Sequence, residues 1–155
     1  MSAISTPQVR PRVSILAAAA IALVGMLGGC QRAISDKDIQ PISLAEVRAL
    51  TQSDRPDVVL LIDPRSPAAF ARGHLPGARN LSLEAIDDRF GTTPELERYA
   101  NLVVYGDDPG TGVGRAMAKR LMSVGYKSVR LFFGGVSEWR RAGLELETSE
   151  PVAEN

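Results

Sequence analysis

Residues 101 to 121 read Asn-Leu-Val-Val-Tyr-Gly-Asp-Asp-Pro-Gly-Thr-Gly-Val-Gly-Arg-Ala-Met-Ala-Lys-Arg-Leu. Leu102 to Tyr105 is an apolar run too short for a helix and rich in branched residues, as in a strand covered on both faces. From Gly112 to Val124 the period changes. Val113, Ala116, Met117, Leu121 and Val124 recur at steps of three and four, while Arg115, Lys119 and Arg120 fall elsewhere, which predicts an amphipathic helix stopped by Gly125. Working outward, Val58 to Ile62 and Val129 to Phe133, the latter interrupted by Arg130, read as two more buried strands. Helices are predicted over Pro67 to Arg72, Leu83 to Phe90 and Pro94 to Ala100, and over Leu44 to Thr51 behind a Ser43 cap with Glu46 at the capping-box position. Strands alternating with helices imply right-handed crossovers and an α/β fold with a parallel sheet and helices on both faces.

The whole chain has 155 residues, 18 Lys+Arg against 18 Asp+Glu, and 45% apolar residues. That is the balance of one ordinary globular domain, and without a broad basic surface it excludes nucleic acid as an expected partner. Cys30 is the single cysteine, so no intramolecular disulfide and no all-cysteine metal site can form. No cofactor or metal is expected.

Two cations, Arg10 and Arg12, and no acid precede an uncharged stretch from Val13 to Gly29 that closes Leu27-Gly28-Gly29-Cys30. A basic start, an apolar run and small residues at its end describe a signal peptide. The ending resembles the lipobox of bacterial lipoproteins. That resemblance implies cleavage after residue 29, acylation of the Cys30 thiol, and a lipid-anchored protein of the bacterial cell envelope, facing the periplasm in a diderm cell. The rival is an uncleaved anchor, since 17 uncharged residues lie at the bottom of the spanning range. Small-small-Cys has a chemical purpose only in the lipoprotein reading. Loss of residues 1–29 removes two of the 18 cations and leaves the remainder slightly acidic. Residues 30–40 are then a polar tether, residues 41–147 the folded domain, and residues 148–155 a loose acidic tail.

In a parallel sheet the site is expected where a strand's carboxyl end feeds a helix. Here that loop is Gly106-Asp107-Asp108-Pro109-Gly110-Thr111-Gly112-Val113-Gly114-Arg115. Its spaced glycines ahead of a helix make Gly110, Thr111, Gly112, Val113, Gly114 and Arg115 candidates for holding a small anion. It is neither a Walker loop nor a dinucleotide loop, and Asp107 and Asp108 would repel an approaching anion. A plain strand-to-helix connection is the other reading, and the sequence leaves both open.

Three segments together resemble the rhodanese family. They are DPRSPAAFARGHLPGARNL (63–81), NLVVYGDDPGTGVGRAMAKRL (101–121) and LFFGGVSEWRRAG (131–143), in the family's order. The resemblance implies a parallel five-stranded sheet with helices on both faces. It also implies sulfurtransfer through a loop cysteine held as a persulfide among backbone amides. The position where that cysteine is expected is Gly106, which has no side chain to attack or carry sulfur. The related cysteine phosphatase plan fails too, because Gly106 and Arg115 are nine positions apart rather than six. Cys30, if acylated, is a thioether and cannot substitute.

The leading expectation is therefore a non-catalytic rhodanese-like lipoprotein, a binding or scaffold module anchored through Cys30 and meeting a protein partner or a small anion. The alternatives are residual binding of small anions or sulfur compounds, or a non-cysteine enzyme using Asp107 and Asp108, for which no third metal ligand is nominated. His74 is expected to fix a turn, Trp139 to lie in the core, and Asp63 with Arg65 to form an exposed ion pair of little energetic weight.

Overall fold

The computed structural model describes residues 33–52, 58–86 and 92–149. Five strands, β1 (Gln40–Pro41), β2 (Val59–Asp63), β3 (Arg79–Asn80), β4 (Asn101–Tyr105) and β5 (Val129–Phe132), form one sheet in the order β1-β5-β4-β2-β3. Every pairing is parallel, with Ile62 beside Val104 and Val104 beside Leu131. The helices are α1 (Leu44–Thr51), α2 (Pro67–Arg72), α3 (Pro94–Glu97), α4 (Gly112–Ser123) and α5 (Gly135–Arg141), with short 3-10 turns at Asp36–Asp38 and Leu83–Ala85.

Side chains alternate along the central strands, so each strand feeds two cores. Leu60, Ile62, Leu102 and Val104 meet Met117, Ala118 and Leu121 of α4 on one face. Leu61, Val103 and Tyr105 meet Val47 of α1 and Val136 and Trp139 of α5 on the other. Burial of each such side chain contributes about 1.5–3 kcal/mol, which is why both faces of these strands must be covered. Trp139 is buried as expected and donates its indole N–H to the Glu145 carbonyl.

The α1 boundaries and cap match the sequence reading. Glu46 N–H donates to Ser43 Oγ at 3.3 Å, and Ser43 N–H donates back to Glu46 Oε2 at 3.0 Å. Four expectations change. The helix predicted over Pro94 to Ala100 stops at Glu97, and that over Leu83 to Phe90 is a 3-10 turn at Leu83–Ala85, residues 87–91 lying outside the described ones. The tether expected over residues 30–40 does not run to Gln40. Ile39 is an apolar residue within that polar run and sits in the core, while Gln40 and Pro41 pair with Arg130 and Leu131. Ser149, expected in the loose tail from Thr148, is tied to the domain, because its N–H donates to the Ala71 carbonyl just after Glu147 pairs with His74.

Among the described residues no helix is long and apolar enough to cross a membrane. The segment read as a signal peptide, with Cys30, lies outside the described residues, as do residues 150–155 of the expected tail.

Candidate functional site

The carboxyl ends of β2, β4 and β5 bring three loops together. Asp63 ends β2 and is fully buried, and Arg65 two residues on is 7% exposed. Arg65 grips Asp63 with its fork: Nε donates to Oδ1 at 2.9 Å and Nη2 to Oδ2 at 2.6 Å. Nη2 also donates to the Gly73 carbonyl, and Nη1 reaches across to Asp107 Oδ1 at 2.8 Å. The pair expected at the surface is thus interior, because the guanidinium lies under the Asp107 loop and beside the Tyr105 ring. Burial opposes the Arg65 charge, but hydrogen bonds and attraction from Asp63 and Asp107 outweigh it and hold its pKa above the usual value. Burial, reinforced by the Asp63 carboxylate, pushes the Tyr105 phenol up; its hydroxyl accepts from Leu75 N–H.

The loop after β4 is pinned from below by α5. Val136 N–H donates to the Gly106 carbonyl at 3.0 Å and Ser137 N–H to the Asp107 carbonyl at 2.8 Å, so two amides of the first helical turn are satisfied by the loop backbone. This contact explains Gly135. Its φ is +57°, and a Cβ there would collide with the Gly106 carbonyl oxygen. Gly114 is a tighter fit than an ordinary contact on the α4 side, where a Cβ would lie 3.2 Å from the Tyr105 carbonyl and that neighbour would have to give by a few tenths of an ångström.

Asp108 decides the rest of the loop. Its Oδ1 accepts from Gly110 N–H at 2.7 Å, Thr111 N–H at 3.0 Å and Thr111 Oγ1 at 3.2 Å. Two of the amides nominated as anion donors therefore already serve a carboxylate of the chain itself. The Asp-Pro-Gly sequence carried the signal, since an Asp side chain commonly bonds the backbone two residues on. Arg115, the candidate cation, donates from Nη2 to the Pro109 carbonyl at 2.6 Å and lies over the Phe133 ring. What remains beside Gly106 is a cleft of about 10 Å³, room for roughly one water.

A Cβ at Gly106 would meet its nearest neighbours, Gly114 N, Val113 Cγ1 and Thr111 Cβ, at 3.7–3.9 Å, ordinary contact distances. The glycine there is not required by packing. His74 stacks on Phe70, bonds the Phe70 carbonyl through Nδ1 and is 5% exposed, which places it in the turn and away from the loop cleft. Among the described residues no group of three or more His, Cys, Asp or Glu side chains is placed to hold a metal.

This sheet order, with an Asp-x-Arg after β2, a glycine loop after β4 and a Gly-Gly entry to α5, accompanies a match of residues 43–142 to the family model described as rhodanese-like domain. The chain belongs to the rhodanese-like domain family. It is 30% identical over 118 residues to the thiosulfate sulfurtransferase GlpE of Pseudomonas putida, covering 76% of this chain and 96% of GlpE. It is 31% identical over 133 residues to SseB of Mycobacterium tuberculosis, a protein named for thiosulfate sulfurtransfer, covering 70% of this chain. The chain spans only 46% of the length of SseB. The solution structure of the rhodanese-like domain of Anabaena Alr3790 shares the fold, with a TM-score of 0.56 at 23% identity over 74% of this chain and 86% of that one. GlpE and SseB are sulfurtransferases by name, and the loop after β4 of this chain carries no cysteine.

Proposed function

We propose that this rhodanese-like domain is a non-catalytic binding or scaffold module, held at the bacterial envelope by an acylated Cys30. The observation that carries the reading is the state of the loop. Gly106 offers no nucleophile, and Asp108 already accepts the amide hydrogens of Gly110 and Thr111. A thiolate is what attacks sulfane sulfur, so a loop without a thiol, and with its Gly110 and Thr111 amides already taken by Asp108, has no route to a persulfide. The lipid anchor rests on the segment Leu27-Gly28-Gly29-Cys30 behind a basic and then apolar leader.

The test is thiosulfate:cyanide sulfurtransfer by the full-length protein extracted from membranes. The expected result is no turnover above the uncatalysed rate. Turnover that survives Cys30→Ser would overturn the reading. Mass spectrometry of the same preparation checks the anchor separately: an acylated Cys30 as first residue is expected, and an intact Met1 or a free thiol refutes it.

A further inference from the structure

We propose that the segment entering the domain, through Asp36, acts as a clasp that sets the conformation of the Asp108–Thr111 loop by way of Arg115. Asp36 sits in the 3-10 turn at Asp36–Asp38, whose Ser35 N–H and hydroxyl both donate to Asp38 Oδ2 at 2.8 Å. The turn is fixed to the domain on its other side by Ile39, buried in the α4 core, and by the pairing of Gln40 with Arg130. These contacts set the position of the turn relative to α4.

From this turn Asp36 Oδ1 meets Lys119 Nζ at 2.5 Å, and Oδ2 lies 4.0 Å from Arg115 Nε. Lys119 and Arg115 are one turn apart on the same face of α4, so one carboxylate spans both. The Lys119 hydrogen bond, with attraction from Lys119 and Arg115, holds the Asp36 carboxyl below its ordinary value, so it stays charged through the neutral range. Arg115 is only 30% exposed and has three constraints: the Asp36 carboxylate, the Phe133 ring at 5.5 Å, and the Pro109 carbonyl, to which Nη2 donates at 2.6 Å. Pro109 lies between Asp108 and Gly110, so the guanidinium that holds its carbonyl also holds the turn in which Asp108 caps the amides of Gly110 and Thr111. With the carboxylate gone, Arg115 loses the charge 4.0 Å from its Nε and keeps only the Pro109 carbonyl and the Phe133 ring, so its hold on that carbonyl weakens in competition with water. A displacement of the entering segment then becomes a loosening of the loop some 70 residues later in the chain.

Asp36 is a positioning residue in this scheme, and its test reads the loop directly. Amide hydrogen exchange is measured by mass spectrometry on the full-length protein and on Asp36→Asn. An exposed ion pair stabilises weakly, so exchange over residues 108–113 is expected to rise by about two- to fivefold, with β4 unchanged. Lys119→Gln, which spares the contact with Arg115, is expected to raise it less. A rise confined to residues 35–39, or no rise anywhere, overturns the proposal, since a merely local role would stop there. Should Asp36→Asn also expose β4, wild-type protein in increasing salt decides. The clasp predicts faster loop exchange as the pair is screened, and salt-independent loop exchange overturns it.

Discussion

Arg65 and Asp107 are 42 positions apart, and Nη1 of the first donates to Oδ1 of the second at 2.8 Å. The bond joins the loop after β2 to the loop after β4, and its two ends differ sharply in burial: the Arg65 side chain is 6% exposed and that of Asp107 52%. Arg65 is committed to Asp63 beneath it, whereas Asp107 has water as an alternative partner. The same guanidinium thus makes one interior bond and one surface bond, and the two should carry very different weights.

Arg65→Met is therefore expected to cost about 3–5 kcal/mol, because it strands the Asp63 carboxylate in a site with no access to water. Asp107→Asn is expected to cost less than about 1 kcal/mol. Arg65→Lys should fall nearer the methionine variant, as a single ammonium cannot make the fork to both Asp63 oxygens. Urea unfolding of the three variants measures the contrast, and equal effects at Arg65 and Asp107 would refute it.

The two glycines that meet at the loop should respond in opposite ways. Gly135→Ala forces a Cβ onto the Gly106 carbonyl at a positive φ, with an expected loss of more than about 1 kcal/mol. The Cβ of Gly106→Cys meets only ordinary contacts, and the variant is expected to fold with a melting temperature near that of the wild type. A thiol-specific chromogenic reagent applied to Gly106→Cys in a Cys30→Ser background would report whether the new side chain is reachable.

Asp108→Ala removes the acceptor shared by Gly110 and Thr111. By analogy with loss of a helix cap, stability should fall by about 0.5–2 kcal/mol. With those amides released, sulfate or thiosulfate at constant ionic strength is expected to raise the melting temperature of Asp108→Ala and leave the wild type unmoved. A rise of equal size in both would show that the Asp108 carboxylate does not occupy the site.

Acid should loosen the start of α1. Hydrogen bonding from Arg130, and then from the Ser43 backbone and hydroxyl, lowers the Glu46 pKa from 4.5 to about 2. A carboxylate with a depressed folded pKa stabilises above its unfolded pKa and loses that contribution as pH falls to the folded one. The loss should therefore fall between pH 4.5 and about 2. Glu46→Gln is expected to flatten this part of the stability profile, and an unchanged slope would remove Glu46 as its source. Asp36, lowered by Lys119, contributes in the same direction, so Asp36→Asn is the needed control.

Much of this domain was legible because it is written in local patterns. Leu44–Thr51 follows from a cap and its reciprocal glutamate three positions on, and Pro67–Arg72 from a proline at the first turn. The β4 to α4 unit follows from a change of period across the glycine loop. Gly106 and Cys30, which bear on the chemistry, are identities at positions and need no structure to be read.

The tertiary structure decided what each charged or polar group is bonded to. The sequence shows Asp63 beside Arg65, but their burial depends on the Asp107 loop closing over them from another strand. It shows Asp107 and Asp108 as neighbours, yet one faces a guanidinium and the other turns back on two amides. It shows a polar segment before Pro41, whereas Ile39 and Asp36 bind that segment to α4 and β5. The physical reason is common to all three. Helix and strand periods arise from neighbours along the chain, while the partner and dielectric surroundings of a charge are set by whichever distant segments the folded sheet brings beside it.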